Sequence, residues 1–320
     1  MSTLAAMRTA PGRAAGTAPG ERLAAGALVL TIVLWASAFA GIRVALRHFG
    51  PEHLSILRLG VASAVLGAIA VVRGGVRVPA RRDLPGVVLV AFTGMTAYQL
   101  LLNAGEVSVP ASTASLLVNV SPLFTAILAV TLLGERLSGR ARAGLSLGFG
   151  GAALVAVGRG GGVGFDPRAL LVLGAAVAQA TFFVAQKAVL DRSRLDAFDV
   201  TAWAMWLGTA MLLPFAPGLP HAVGTASAGA IAAVLYLGVG ASALGFVSWA
   251  YASARVPVSF AASTLYAIPV VAALVAWAWL GETPAALAVA GGAVAIAGVA
   301  LTARAGADDR RDRPIVGGRS

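Results

Sequence analysis

Leu133-Gly134-Glu135 closes one apolar stretch of this chain, and Leu280-Gly281-Glu282 closes another 147 residues later. Sliding residues 104–156 along by that interval needs no gap. Pro110 falls on Pro257, Pro122 on Pro269, Gly144 on Gly291, Gly151 on Gly298 and Leu154 on Leu301, and 17 of the 53 positions are identical. A self-match at a fixed interval is the signature of a duplicated unit. The surrounding composition says what kind of unit. Hydrophobic residues make up 58% of the chain and charged residues 12%, and the mean hydropathy is +0.86. A charged share this low is about half that of an ordinary soluble domain.

A hydrocarbon layer of ~30 Å takes about 20 apolar residues to cross as a helix. Ten such spans are expected, at 24–46, 53–72, 84–103, 111–132, 141–158, 168–190, 199–216, 227–250, 258–280 and 284–303. Lipid offers backbone groups no hydrogen-bond partner, so each span is expected to be helical. The predicted fold is an all-α integral membrane protein, ten transmembrane helices arranged as two inverted five-helix repeats. Its parts are a tail at 1–22, a first repeat at 23–158, a linker at 159–167, a second repeat at 168–303 and a tail at 304–320. Ala36-Ser37-Ala38 resembles a signal-peptidase site, but the apolar run before it is too long for a cleaved signal, and it is read as part of the first span.

A net charge of +11 invites a nucleic-acid reading, which the placement of the charges opposes. With the N-terminus in the cytoplasm, the cytoplasmic segments carry 18 Lys and Arg, the external ones three (Arg47, Arg159, Arg168), and three lie within spans (Arg43, Arg58, Lys187). Excess positive charge on one side orients membrane proteins with that side in the cytoplasm. Both termini are therefore expected to be cytoplasmic. Five spans per half is an odd number, so the second half enters the membrane in the opposite sense. Exchange of conformation between two such halves turns a cavity open on one side into one open on the other. Arg outnumbers Lys 23 to 1, which suggests a GC-rich bacterial genome and a bacterial inner membrane.

The first helices of the halves correspond as well. An interval of 144 places Trp35-Ala-Ser-Ala-Phe39 on Gln179-Ala-Thr-Phe-Phe183, and Arg43 on Lys187. The segment Trp35–Leu46 is similar to the opening helix of an EamA repeat. So are Arg58 in the second span and the stretch Ala114-Ser115-Leu116-Leu117, Pro122-Leu123-Phe124, Leu133-Gly134-Glu135-Arg136. Two such repeats in about 300 residues resemble the drug/metabolite transporter superfamily. The second repeat departs from the pattern with Ala204 or a neighbour in place of Arg58, and Thr283 in place of Arg136. The resemblance implies a secondary transporter, commonly an exporter of amino acids, related metabolites or toxic compounds. It also implies a central cavity between helices one, three, four, six, eight and nine, with the fifth and tenth at the back. Gly144/Gly148 and Gly291/Ala295 agree independently, since small residues four apart let membrane helices approach closely; the same face could instead join two copies in a homodimer.

Polar groups within hydrocarbon are costly and face a cavity or a neighbouring helix. On that ground the substrate-contacting candidates are Trp35, Ser37, Tyr98, Gln99, Asn119, Gln179, Trp249 and Tyr266, with Asn103, Ser115, Thr181, Gln186, Ser248 and Ser263 behind them. Asn119 lies three residues before Pro122, which frees a backbone carbonyl, and Pro269 marks the equivalent point beside Tyr266. Trp203 and Trp206 read as interfacial or lipid-facing. Arg58 is expected to hold a structural ion pair rather than a substrate carboxylate, while Glu135 and Glu282 cap helices or pair with Arg. Proton coupling, if the chain has it, would run through Glu106 or the substrate itself. No cysteine is present, and the three histidines share no ligand spacing with carboxylates. No metal, cofactor or catalytic residue is expected, so an intramembrane enzyme is the least favoured class. A channel and a non-transporting receptor rank between the enzyme and the favoured carrier.

Overall fold

The structure is a computed structural model that describes residues 19–133, 139–159, 162–253 and 264–311. Its helices are α1 (Pro19–Ala45), α2 (Pro51–Val72), α3 (Leu84–Gly105), α4 (Ala111–Val118), α5 (Ser121–Leu133), α6 (Gly139–Val157), α7 (Ala169–Arg192), α8 (Ala197–Phe215), α9 (Leu219–Thr225), α10 (Ala228–Ala252), α11 (Ile268–Leu280) and α12 (Ala286–Arg311). Six of them, α1, α2, α3, α7, α8 and α10, are long and apolar enough to cross a membrane. The protein is thus a multi-pass, essentially all-helical membrane protein.

Local chemistry sets the helix ends. Pro51 opens α2, where a missing N–H costs nothing, and Glu52 sits in its first turn. Asp196 caps α8 by accepting from the Asp199 amide, while the Asp199 carboxylate accepts from the Asp196 amide, a reciprocal capping box. Gly281 ends α11 in the left-handed region at φ 67°.

Four features depart from the sequence expectation. The span expected at 111–132 is broken into α4 and α5 at Asn119–Val120. Pro122 has no N–H to give, and the chain turns instead through bonds from the Asn119 amide to Ser115 and the Val120 amide to Leu117. Near Pro269 a short 3-10 turn, Leu265–Ala267, precedes α11; shifting Asn119–Val120 by 147 residues lands on it. Both α3 and α10 contain a π-helical stretch, at Ala91–Ala97 and Tyr236–Leu244. Finally, α9 and a short pairing of Gly158–Arg159 with Gly162–Val163 occupy segments expected to be irregular.

The core lies between α1, α2, α3, α7, α8 and α10, with fully buried Ile42, Leu54, Leu59, Leu66, Met95, Phe182 and Met205. On one side of it α6 and α12 meet backbone to backbone. A Cβ on Gly151 would lie 2.3 Å from the Ala295 nitrogen, and one on Gly298 2.3 Å from the Gly148 nitrogen. Only glycine fits either place.

Candidate functional site

Within the bundle is a cavity of about 630 Å³ lined from α1, α2, α3, α4, α5, α7, α10, α11 and the start of α8. Its wall is a closed circuit of five aromatic rings. Centroid separations run Trp35–Phe246 5.2 Å, Phe246–Phe182 5.9 Å, Phe182–Phe183 5.4 Å, Phe183–Trp249 5.8 Å and Trp249–Trp35 5.6 Å. Tilted and edge-to-face packing at these distances is the favourable arrangement for aromatic pairs. Each ring locks its neighbours, so the wall is preformed.

The π-helical stretch of α10 positions this wall. A π turn widens the backbone ladder and leaves carbonyls free to accept from side chains. Ala241 accepts from Trp35 Nε1 at 3.1 Å, and Ser242 Oγ accepts from Arg58 Nε at 2.7 Å. Ser37 meets the Tyr236 hydroxyl and the Val33 carbonyl. Glycine opposite the rings makes the room they need. A Cβ on Gly94 would lie 2.1 Å from the Phe182 ring, and one on Gly245 2.7 Å from Trp35 Nε1.

Of the residues singled out in the sequence, Trp35, Tyr98, Asn119, Gln179, Gln186 and Trp249 line the cavity, as does Arg58. Ser37 and Gln99 do not: both are buried against neighbouring helices. The side chain of Tyr266 and the whole of Glu135 lie outside the described residues. Phe182, Phe183 and Phe246 were missed, because phenylalanine in an apolar span carries no signal that separates cavity wall from lipid face. Trp203 and Trp206 were expected at the lipid or the interface. Both are half-buried, and their indole N–H groups donate to the Arg77 and Ser63 carbonyls at 2.9 and 3.1 Å, which ties α8 to α2 and the loop after it.

Arg58 makes no ion pair among the described residues; its only hydrogen bond there is the one to Ser242. It heads a buried polar file between α2 and α3. Gln99, Asn103 and Glu106 follow at one-turn intervals on one face of α3 and its end, and Asn103 Nδ2 donates to Ser55 Oγ of α2 at 2.8 Å. Among the described residues seven buried side-chain polar atoms lack a hydrogen-bond partner, and six belong to Arg58, Gln99, Asn103 and Glu106. Glu106 follows the last residue of α3 and is fully buried. Burial pushes its carboxyl well above the ordinary range, against the pull of Arg43 and Arg58.

The two ends of the cavity differ. At one end Lys187, Asp191 and Asp196 stand at the lining's edge, with Lys187 Nζ 2.8 Å from Asp191. Beyond the other end, Arg43 Nε lies 3.2 Å from Glu282 Oε1, and its Nη1 donates to the Glu106 and Val107 carbonyls at 2.7 and 3.1 Å. Glu282 Oε2 accepts from the Ala111 amide at the start of α4 at 3.1 Å. This clasp ties α1, α3, α4 and the turn after α11 together. His48 with Ser227 and His53 with the Pro217 carbonyl, both at 3.0 Å, close the same side.

A helical membrane protein with a preformed aromatic cavity, and an ion pair tying four elements together beyond one end of it, has the build of a small-molecule carrier. The sequence pattern of the EamA-like transporter family matches residues 22–157 and again 167–304, and the chain belongs to that family. It is 48% identical to a probable terminal-alkyne amino-acid exporter of Streptantibioticus cattleyicolor, over 92% of this chain and 97% of that protein. It is 35% identical to the uncharacterized transporter YdfC of Bacillus subtilis (85% and 88% covered). A probable amino-acid metabolite efflux pump of Salmonella typhimurium is 27% identical (85% and 91% covered). A solved crystal structure, 22% identical, shares the fold with a TM-score of 0.61 over 91% of this chain and 99% of its own. The chain is a transporter, and these relatives are named as transporters or exporters rather than enzymes, channels or receptors.

Proposed function

We propose that this protein exports small amino acids with apolar side chains, such as terminal-alkyne amino acids, by alternating access across a bacterial inner membrane. The observation that carries the reading is the five-ring wall around a cavity clasped shut at one end by Arg43 and Glu282. The rings suit an apolar side chain, and Tyr98, Asn119, Gln179 and Gln186 offer neutral hydrogen bonds to the polar end of such a molecule. Trp35 and Trp249 contact the substrate from the wall; Tyr266, which falls on Asn119 across the 147-residue interval, is the further contact expected from the sequence. The names of the 48% and 27% identical relatives support the substrate class.

Residues 23–158 and 168–303 form two inverted five-helix repeats joined by 159–167, with both termini in the cytoplasm. The broken spans at Pro122 and Pro269 and the paired π-helical stretches in α3 and α10 support the duplication. The excess of Lys and Arg on one side supports the orientation. In that orientation the clasp is external and the open end is cytoplasmic, so the conformation is ready to load substrate.

Expression in a bacterium poisoned by propargylglycine tests the reading. Resistance is expected to rise, with lower intracellular accumulation of the labelled amino acid than in the vector control. Equal accumulation with and without the protein would refute it.

A further inference from the structure

The buried file from Arg58 to Glu106 has no part in the aromatic wall. Its geometry is nonetheless specific. Arg58 reaches the cavity, while Asn103 bonds Ser55 of α2 and Gln99 is buried one turn before it, neither contributing to the lining. Glu106 ends the file beneath the Arg43–Glu282 clasp, its backbone carbonyl held by Arg43. Both carboxylate oxygens of Glu106, both amide atoms of Gln99, Asn103 Oδ1 and Arg58 Nη1 are buried without a hydrogen-bond partner among the described residues. Polar atoms in that condition are met by internal water, and an ionisable group so placed in a membrane protein marks an ion or proton path.

We propose that Glu106 is the proton-binding group of this carrier, loaded from the outer face and unloaded into the cavity through water held by Asn103, Gln99 and Arg58, so that substrate leaves in exchange for entering protons. This rests on the transporter reading above. A hydronium ion on the outer side loses one O–H bond and becomes water as an O–H bond forms on one Glu106 oxygen; that bond breaks in turn when a water in the cavity takes the proton, and no electrons are transferred. The groups facing Glu106 give the exchange its direction. Arg43 approaches from α1, Arg58 from α2, Tyr98 from its own helix and Glu282 from the turn after α11; Arg168 and Asp166, ahead of α7, lie beyond Gly105. Neutral Glu106 leaves Arg43 to Glu282, and the outer end stays clasped, as it is here. Ionised Glu106 competes with Glu282 for Arg43 and loosens the clasp. Proton entry therefore resets the carrier to the inward-open form, and proton release prepares it to open outward.

The test uses the full chain, purified and reconstituted in liposomes. With an acidic lumen, labelled propargylglycine is expected to accumulate inside above its equilibrium level, and a protonophore abolishes this. Glu106→Gln loses the accumulation while still binding the amino acid in detergent, and Glu106→Asp, which keeps a carboxyl, retains it. Infrared titration of the unliganded protein is expected to show the C=O band of a buried protonated carboxyl that disappears in Glu106→Gln. The proposal is overturned if the wild type exchanges labelled for unlabelled substrate yet ignores the pH gradient, if Glu106→Gln accumulates normally, or if the infrared band is unaffected by that substitution. The titration uses no substrate, so its failure sinks the proton site alone. Absence of any substrate exchange by the wild type sinks the transport reading, and proton exchange with it.

Discussion

The glycine seam between α6 and α12 and the aromatic wall between α1, α7 and α10 are both made where helices face one another, yet in one the backbones touch and the other encloses a cavity. The difference is side-chain size at the facing positions. Gly148, Gly151, Gly291 and Gly298 let two backbones meet, and van der Waals contact between them holds the seam without help from lipid. Trp35, Phe182, Phe183, Phe246 and Trp249 prop their helices apart, and the rings spend their contacts on one another. Small residues make the rigid back; large ones make the working space.

The seam is the easier of the two to break. Gly151→Leu drives a side chain into the backbone at Ala295, and overpacking of this kind costs about 3 kcal/mol. The expected result is a large fall in the thermal midpoint of the purified protein in detergent. An unchanged midpoint would show that the seam is not a fixed contact. The wall yields less stability and more function. Trp249→Ala removes two ring contacts worth about 1–2 kcal/mol of stability in all, so the midpoint falls less than in Gly151→Leu, and loss of an apolar contact of similar size to the substrate should weaken its binding roughly tenfold. Loss of folding instead would make Trp249 a core residue.

The clasp should respond more weakly still. Glu282→Gln keeps an acceptor for Arg43 but removes the charge, and an ion pair this exposed is worth about 1 kcal/mol or less. Because the natural chain has no cysteine, a single Leu102→Cys in the cavity lining reports on access from outside. A few-fold faster labelling by a membrane-impermeant maleimide is expected, and unchanged labelling would remove the clasp from gating. The cap of α8, outside both regions, should show an effect of similar size. Burial raises the Asp196 carboxyl, but the Asp199 amide and Arg73 outweigh it and leave the group below its ordinary value. A depressed carboxylate stabilises the fold above its unfolded pKa and loses that contribution as pH falls through the lower folded one. Stability should therefore be flat near neutrality and drop below about pH 4. In Asp196→Ala, ~1 kcal/mol of capping is lost at neutral pH and the acid-side drop shrinks.

Much of this architecture was legible in the sequence because the duplication repeats its own punctuation. Pro122 and Pro269 mark the broken spans, and the small residues of both halves mark the seam. The site was legible only where a residue type is rare in hydrocarbon: Trp35, Tyr98, Asn119, Gln179 and Trp249 stand out among Ala, Leu and Val. Phe182, Phe183 and Phe246 look the same whether they face substrate or lipid. Gln99 and Ser37 have the right chemistry, but helix rotation turns them to a neighbour instead of the cavity. The π-helical stretches had no signature at all, since nothing in Ala91–Ala97 distinguishes a wide turn from a regular one.

Those wide turns bear on how this gene can change. A π turn behaves as one surplus amino acid lodged in an otherwise regular coil. Deleting a single codon within Ala91–Ala97 would let the coil rewind to α geometry with the register of both flanks preserved, whereas the same deletion in α2 would turn every later side chain by about 100°. Lineages of this transporter can therefore shed or gain length at that point of α3 without rebuilding the bundle.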